Sequence, residues 1–201
     1  LEFQYNCLNL PWYVKRDGKT LAAFYYLGDG TKVRTVDSAG VARHYIGSLT
    51  YRQEENGELV LEEAAFDGGI VKVAEDGKPE TFYCIADHLG SVRAIVDADG
   101  NAVERNDYYP FGAQHARADY PQIANRYKFN GKEREKAGGA DWLDYGARRY
   151  DPALARWTTP DPLGDSYLPY SPYAYCLNNP VKLVDPDGTF STHYVDEYYN
   201  V

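Results

Sequence analysis

The stretch IVKVAEDGKPETFYCIADHLGSVRAIVDADG, residues 70–100, decides the fold class. Three runs of strand length, rich in β-branched and aromatic residues, alternate in it with short polar segments that contain glycine. The runs are Ile70–Val73, Phe82–Ile85 and Val92–Val96. Runs of this kind, spaced about 8–12 residues apart with turn residues between them, predict antiparallel strands joined by tight turns.

The same alternation extends back towards the N-terminus. Glycine-containing pairs recur between short runs such as Thr20–Tyr26, Lys32–Val36 and Leu59–Leu61. Asp-Gly and Asn-Gly pairs favour the positive φ angles of type I′ hairpin turns. Residues 54–65 tolerate a helix in composition, but Asn56-Gly57 makes a hairpin the better interpretation. We therefore predict an all-β chain, an antiparallel β-meander with few or no long helices.

Composition and charge narrow the class of partner. Of the 30 aromatic residues 20 are tyrosine, which suits half-buried pleated surfaces, and 18 glycines and 11 prolines indicate many turns. A formal net charge of −9 repels phosphate backbones, so we expect no nucleic-acid partner. No apolar run approaches the length of about 18 residues that a membrane span needs. The absence of methionine and the start at Leu1 suggest a piece of a longer chain or a processed product.

The cysteines indicate no metal or other cofactor. Cys7, Cys84 and Cys176 lie far apart, without a CxxC pair or a nearby histidine. Because a metal site needs clustered ligands and a disulfide framework an even count, we expect three small hydrophobic side chains instead.

The pattern is less regular in residues 101–140. Tyr108–Gly112 predicts a strand end and a turn, and Arg126–Gly131 predicts a strand and a turn. Lys132–Gly139 is a run of charged residues closed by two glycines, which predicts a solvated loop or one helical turn.

Two Asp-Pro-x-Gly segments stand out near the C-terminus. They begin at Asp161 and Asp185, 24 residues apart, and Arg148 lies 13 residues before the first. Two carboxylates that fold close to each other and to an arginine can form a pair that shares one proton, as acid catalysis requires. Asp-Pro-x-Gly is also a turn sequence for backbone reasons alone, so each aspartate can instead cap its own turn. The spacing leaves both interpretations open.

These motifs resemble the C-terminal part of Rhs/YD-repeat proteins, including the Rhs-associated core, over nearly the whole chain. Besides the tyrosine- and glycine-punctuated strands of the first hundred residues, the matching pieces are, in order, Asp87–Arg93, Asp99-Gly100, Tyr108–Gly112, Tyr127–Glu133, Leu143–Arg148, Tyr150–Pro152, Arg156-Trp157, Pro160–Pro162, Asn178–Pro180 and Asp185–Gly188. The order and spacing of so many pieces make the resemblance specific.

The resemblance implies a large spiral of β-strands that encloses an effector domain lying C-terminal to the core. Within such a shell, 201 residues would form only an arc or the closing plug. The resemblance also implies that the core acts as an intramolecular aspartyl protease that releases the effector. Carried over to this sequence, the catalytic positions are Asp161 and Asp185, the supporting arginine is Arg148, and the scissile bond is Thr189–Phe190. Proteins of this class are secreted or delivered at the bacterial surface, often in bacterial competition.

The chain departs from the family pattern at its end. The family usually has leucine after the glycine of the second turn, where this chain has Thr189, and loss of apolar anchoring there would slow or abolish cleavage. The released peptide, Phe190–Val201, would have 12 residues, far too few for a folded toxin. Either the chain stops inside the start of the effector, or the released piece is not a toxin.

We predict three segments: YD-repeat strands in residues 1–100, the Rhs-associated core in 101–188, and in 189–201 the start of a variable C-terminal region or a tail. The expected partners are the protein's own N-terminal shell and C-terminal effector region, and unpaired strand edges also predict a homo-oligomer. One alternative is a surface adhesion or carbohydrate-binding module without enzyme activity, in which the run Tyr167–Tyr175 stacks against sugars. Another is a passive scaffold that carries a short effector peptide.

Overall fold

A computed structural model gives the fold, and it describes residues 1–74, 76–116, 119, 122–123, 125–167 and 169–193. The strands are, in chain order, β1 Glu2–Tyr5, β2 Pro11–Arg16, β3 Lys19–Tyr26, β4 Lys32–Val36, β5 Ala42–Ile46, β6 Leu49–Gln53, β7 Leu59–Phe66, β8 Gly69–Val73, β9 Pro79–Ala86, β10 Val92–Val96, β11 Ala102–Arg105, β12 Asp107–Tyr108, β13 Gln114–His115, β14 Glu133–Glu135, β15 Trp142–Asp144, β16 Arg149–Asp151, β17 Arg156–Trp157, β18 Leu183–Val184 and β19 Thr192–His193. The 3₁₀ turns are Phe129–Gly131, Ala137–Gly139, Gly164–Tyr167 and Cys176–Asn178.

The prediction of an all-β chain is confirmed, since the described residues contain strands and short 3₁₀ turns but no α-helix. Within them, no helix has the length and apolar character that crossing a membrane would take. The chain forms two compact units. The first unit comprises Leu1–Ile85, Ile95–Val103 and Lys136–Ala140, and the second comprises Ala86–Ala94, Glu104–Glu135 and Asp141–Val201.

The eleven strands β1 to β11 form one sheet in which spatial order follows chain order. Their pairing is antiparallel, with Arg43 opposite Arg52 between β5 and β6 and Val71 opposite Thr81 between β8 and β9. This is the predicted meander. In the described part of the chain, β1 and β11 lie at the two ends of the strand order, so the sheet is open at both edges.

The hairpin predicted within residues 54–65 is confirmed. Strands β6 and β7 pair antiparallel across it, and the N–H groups of Glu54 and Gly57 close the turn on the carbonyls of Glu58 and Glu54, both at 2.9 Å. Gly57 has a φ of +87°, which a side chain at this position would disfavour. The glycine therefore overrides the helix-tolerant composition around it.

Most of the sheet turns differ from the predicted type. Asp17-Gly18 has positive φ at both residues, as type I′ requires. The turn from Asp37 to Val41 has positive φ only at Gly40, and Asp37 Oδ1 accepts the N–H groups of Ala39 at 2.9 Å and Val41 at 3.0 Å. We call this arrangement the Asp-x-x-Gly turn. The type I′ prediction for Asp-Gly and Asn-Gly pairs is wrong at Asn56-Gly57, where only the glycine has positive φ, because a three-residue loop needs only one left-handed residue.

The first unit contains a small cluster of buried apolar side chains. Val14, Ala22 and Phe24 are at most 2% exposed and pack together. Gly138 packs against this cluster, since a Cβ at position 138 would lie 2.7 Å from Val14 Cγ1. Gly138 also has a φ of +65°, which disfavours any side chain. A residue larger than glycine would therefore displace the buried valine.

The second unit has an aromatic core beneath the antiparallel sheet β14–β15–β16–β17. Tyr145, Tyr150, Trp157 and Tyr175 are at most 2% exposed, and the ring centroids of Tyr150 and Tyr175 lie 4.3 Å apart. The hydroxyls of Tyr145 and Tyr175 donate to Asn130 Oδ1 at 2.7 and 2.8 Å. The core thus buries large rings while their polar tips stay hydrogen-bonded.

The region before this sheet follows the sequence prediction only in part. Tyr108 ends β12 and is followed by a turn in which the N–H of Gly112 donates to Tyr109, as predicted. The strand predicted in Arg126–Gly131 is wrong beyond an isolated bridge at Tyr127, because Phe129–Gly131 forms a 3₁₀ turn.

The prediction of a solvated loop or one helical turn at Lys132–Gly139 is wrong for its charged part and agrees only with the 3₁₀ turn Ala137–Gly139. Glu133–Glu135 is strand β14, and Glu135 is buried. Its carboxylate accepts from Arg149 Nε at 2.8 Å, and Arg134 pairs with Asp141 at 2.5 Å. The charged run forms a strand of the sheet because Glu135 pairs with Arg149 on β16 and Arg134 pairs with Asp141, the residue just before β15.

Candidate functional site

Arg148 lies at the end of the hairpin turn that joins β15 to β16, where the N–H of Tyr145 donates to its carbonyl at 3.2 Å. Its side chain is 2% exposed, and the guanidinium lies 4.1 Å from the ring centroid of Trp157 on β17. Burial lowers the pKa of Arg148 and the charges of Asp161 and Asp185 oppose this effect, so the guanidinium stays protonated. The sequence thus fixes a permanent positive charge inside the second unit.

The structure brings both predicted aspartates to this charge. Asp161 Oδ2 lies 2.9 Å and Asp185 Oδ2 lies 3.4 Å from the same nitrogen, Arg148 Nη2. Since both oxygens contact one atom, they lie no more than 6.3 Å apart. Asp185 and Arg148 are nearly fully buried, while the Asp161 side chain is 13% exposed. The three residues chosen from the sequence form one cluster.

Each aspartate also caps its own turn. Asp161 Oδ1 accepts the N–H of Leu163 at 2.8 Å. Asp185 Oδ1 accepts the N–H groups of Gly188 at 2.7 Å and Thr189 at 3.2 Å, with Gly188 at a φ of +82°. The segment at Asp185 is therefore an Asp-x-x-Gly turn of the kind that joins the sheet strands. The two interpretations of the sequence hold together, because one oxygen of each carboxylate caps a turn and the other faces Arg148.

The two carboxylates have different surroundings. Burial raises the pKa of Asp185 above its ordinary value, and the N–H of Gly188 and the charge of Arg148 offset this only in part. Asp161 borders an open cleft of about 320 Å³, which Pro162, Gly164, Asp165, Tyr170 and Pro172 also line. One carboxyl is thus disposed to keep a proton while the other faces solvent.

The carbonyl that Arg148 holds belongs to Gly188. Arg148 Nε donates to this oxygen at 2.6 Å. The approach requires glycine, because a Cβ at position 188 would lie 3.0 Å from the Arg148 backbone nitrogen and 3.2 Å from Tyr145 Cβ. The held carbonyl is one residue before the predicted scissile bond Thr189–Phe190.

Thr189 is held by Asp187, a residue that the sequence reasoning did not select. Asp187 Oδ1 accepts both the N–H of Thr189 at 3.0 Å and its hydroxyl at 2.6 Å. Phe190 is 48% exposed. An acidic residue two positions before a threonine is the sequence signal that could have indicated this contact.

Three carboxylates beside the site approach one another closely enough to hold a metal ion, at Glu133, Glu135 and Asp144. Arginines already neutralise them: Arg126 lies 2.7 Å from Glu133, and Arg149 lies 2.8 Å from Glu135 and 2.5 Å from Asp144. This cluster therefore resembles a network of internal ion pairs more than an open ligand set.

The described tyrosine side chains of the run Tyr167–Tyr175 do not share one sugar-stacking surface. Tyr175 is fully buried in the aromatic core, whereas Tyr170 is 45% exposed and Tyr173 lies under the guanidinium of Arg156 at 4.7 Å. Leu168 and the side chain of Tyr167 lie outside the described residues, as does most of the predicted C-terminal segment.

Comparisons with known proteins agree with the fold. The model of the teneurin YD-shell matches residues 66–180. The toxin subunit YenC2 of Yersinia entomophaga is 36% identical over 104 residues, which is 50% of this chain and 10% of YenC2. The tRNA nuclease WapA of Bacillus subtilis is 28% identical over 183 residues, which is 87% of this chain and 8% of WapA.

Solved structures show the same fold. The crystal structure of TcdB2-TccC3-TEV superposes with a TM-score of 0.73 at 24% identity, over 92% of this chain and 10% of that one. The Tc holotoxin pore of Photorhabdus luminescens gives a TM-score of 0.72 over 96% of this chain and 10% of that one. The chain spans about a tenth of most of these relatives. Because the teneurin model covers more than half of it, this protein belongs to the YD-shell family, the shell fold of Rhs/YD-repeat proteins.

Proposed function

We propose that this chain is the C-terminal segment of a larger secreted or surface-delivered shell protein of the polymorphic-toxin kind. The shell encloses or presents an effector region that follows it, and intramolecular aspartyl cleavage after Thr189 separates the two. The observation that carries the proposal is the convergence of Asp161 Oδ2 and Asp185 Oδ2 on Arg148 Nη2, at 2.9 and 3.4 Å. The similarity to the Yersinia entomophaga toxin subunits supports the setting.

The different surroundings of the two carboxyls assign their roles. Asp161, beside the cleft and nearer to Arg148, is the base that takes a proton from water. Asp185, buried and with a raised pKa, gives its proton to the Thr189 carbonyl oxygen as water attacks the carbonyl carbon. The tetrahedral intermediate then collapses, the bond to the Phe190 nitrogen breaks, and that nitrogen takes the proton that Asp161 had accepted. Arg148 keeps the second charge in place.

Substitution of Asp161 in the longer precursor tests the aspartate pair. We expect the wild type to yield two fragments on a denaturing gel and Asp161→Asn to remain intact. Asp165→Asn is the matched control, because Asp165 lines the same cleft but lies outside the Arg148 cluster. It should cleave like the wild type. Equal intact bands from the wild type and Asp161→Asn would overturn the protease part of the proposal and leave the shell part standing.

A second candidate is a surface adhesion or carbohydrate-binding module. Salivary gland surface protein 1 of Aedes aegypti is 33% identical over 108 residues, and Trp12 on β2 is 46% exposed and stacked on Tyr13 at 5.1 Å. An exposed tryptophan stacked on a half-buried tyrosine offers an aromatic face on which a sugar ring could stack. A glycan array decides this, with Trp12→Ala as control, and an array without signal removes the candidate.

A further inference from the structure

We propose that the Gly188–Thr189 peptide bond is itself cleavable, and that the hydroxyl of Thr189 attacks it in an N-to-O acyl shift. This reaction goes beyond the aspartate-pair cleavage, because it breaks a different bond with a different nucleophile. It would give the threonine a function at the position where the family has leucine.

The nucleophile and its base are in contact. Thr189 Oγ1 donates to Asp187 Oδ1 at 2.6 Å, a short hydrogen bond to a carboxylate. Asp187 is exposed, and its carboxylate oxygen is placed to take the hydroxyl proton. A hydroxyl beside a general base is the arrangement that nucleophilic catalysis by serine and threonine requires.

The electrophile is held by a buried cation. Arg148 Nε donates to the Gly188 carbonyl oxygen at 2.6 Å and is nearly fully buried. A fixed donor of this kind stabilises the negative charge that develops on the oxygen during attack, which removes part of the barrier. Gly188 carries no Cβ, so its carbonyl carbon is not shielded by a side chain of its own.

The leaving nitrogen also has carboxyl groups within reach. The N–H of Thr189 lies 3.0 Å from Asp187 Oδ1 and 3.2 Å from Asp185 Oδ1. Burial raises the pKa of Asp185, which favours its protonated form beside this nitrogen. A carboxylic acid in that place can supply the proton that an amine needs in order to leave.

The atoms balance over two steps. In the first, Asp187 takes the Oγ1 proton, Oγ1 bonds to the Gly188 carbonyl carbon, and the carbon–nitrogen bond breaks as the nitrogen gains a proton from Asp187 or Asp185. The product is an ester between Gly188 and Thr189 Oγ1 with a free α-amine. In the second, water attacks the ester and leaves a Gly188 carboxylate, a regenerated hydroxyl and an α-ammonium group on Thr189.

The test is intact-mass spectrometry of the full 201-residue chain after incubation with and without hydroxylamine, which traps esters. We expect a 13-residue peptide that begins at Thr189, and hydroxylamine should increase its yield by placing a hydroxamate on Gly188. Thr189→Ser should keep the reaction. Thr189→Val, which has the same shape without the hydroxyl, should lose it. Asp187→Asn should slow it by about 100-fold or more.

The products separate this reaction from the aspartate-pair cleavage, because the latter releases a 12-residue peptide that begins at Phe190. A wild-type chain that stays intact in hydroxylamine, or that yields only the Phe190 peptide, overturns the acyl shift. So does release at Gly188 by Thr189→Val at the wild-type rate. The wild-type result in hydroxylamine decides the matter even where a variant fails to fold.

Discussion

At the scale of single residues, Arg148 combines three kinds of contact through different parts of one side chain. Its Nη2 faces two carboxylates, its Nε holds the Gly188 carbonyl, and its plane lies on Trp157. A planar guanidinium can do this because its donors point in fixed directions and its face stacks on aromatic rings. Lysine has one ammonium group and would keep at most one of these contacts.

Gly188→Ala should destabilise the protein more than the substitution of a glycine that has the same φ but open space at its Cβ position. Its φ of +82° disfavours any side chain, and the new Cβ would also lie 3.0 Å from Arg148 N. We expect a loss of about 1–3 kcal/mol in the free energy of unfolding, measured by urea denaturation. Gly77→Ala is the matched control, because its φ is +81° and nothing lies within 4 Å of its Cβ. Equal losses in both variants would contradict the steric part.

Asp185 makes a second residue-scale prediction, about pH. Because its pKa is raised in the folded state, the folded protein binds this proton more tightly than the unfolded chain does. The stabilisation from the proton is fully present below the ordinary aspartate pKa of about 3.9 and is lost as pH rises through the folded pKa. The free energy of unfolding of the wild type, relative to Asp185→Asn, should therefore fall between acidic and neutral pH. A difference that rises with pH would contradict this.

The same raised pKa predicts how cleavage after Thr189 depends on pH. The mechanism needs Asp185 protonated, so the rate should fall as pH rises through the folded pKa of Asp185. Fragment yield against time in buffers of increasing pH measures this. A rate that increases towards alkaline pH would instead indicate a base-limited reaction.

Three residues of the cluster could be predicted from the sequence. The hydrogen bonds that hold the Gly188 carbonyl and the Thr189 hydroxyl could not. Asp161, Asp185 and Arg148 could be chosen because side chains are visible in a sequence. The hydrogen bond from Arg148 to the Gly188 carbonyl could not be chosen, because every residue has a backbone carbonyl and the sequence does not show which one a side chain reaches. The hold of Asp187 on Thr189 depends on the conformation of one turn.

At the scale of elements, the site is built from a turn that the chain also uses to join strands. Asp37 caps the turn between β4 and β5 as Asp185 caps the turn after β18, with glycine at positive φ three residues on. In both turns the second carboxylate oxygen faces an arginine, since Asp37 Oδ2 lies 3.6 Å from Arg43 Nη1 and Asp185 Oδ2 lies 3.4 Å from Arg148 Nη2. The difference is burial, because the Asp37–Arg43 pair is partly exposed, whereas Asp185 and Arg148 are nearly fully buried. The chain thus uses one kind of turn both in its sheet and in the buried cluster.

The buried ion pair of β14 and β16 should matter far more than an exposed pair. Arg149 and Glu135 side chains are 0% and 6% exposed, and the Arg149 guanidinium also lies 2.5 Å from Asp144, so Glu135→Gln removes one of two carboxylates that face a buried charge. Glu135→Gln should cost about 1.5–3 kcal/mol in the free energy of unfolding, the contribution typical of a hydrogen bond to a charged group. Glu54→Gln, which breaks the half-exposed pair with Arg52, should change the stability little. Equal effects in a denaturant titration would contradict the burial argument.

Elements were predictable where local chemistry decides them. The strands that flank Asp76-Gly77 and Asp99-Gly100 follow from alternation and glycine alone. Strand β14 could not be predicted, because its charges are satisfied by Asp141 and Arg149, which reach it only once the neighbouring strands β15 and β16 are paired. The type of each turn could not be predicted either, because a glycine occurs in both two-residue and three-residue hairpin loops.

At the scale of the whole molecule, the open sheet predicts association. Among the described residues β1 and β11 end the strand order, and exposed edges of this kind recruit further strands. The chain should run above its mass of 22.7 kDa in light scattering at high concentration. A longer chain with one further strand paired to β1 should reduce this association. A mass of one chain at every concentration would contradict the prediction.

The sequential order of β1 to β11 has a consequence for timing. Every pairing in this sheet is local in sequence, so strands can add one after another as a chain emerges from its N-terminal end. The Arg148 cluster needs residues 148, 161 and 185, which follow all eleven strands. During synthesis the sheet can therefore form before these three residues are present. For the cleavage proposed above, the order of residues along the polypeptide would delay the reaction until the strands of the sheet have been made.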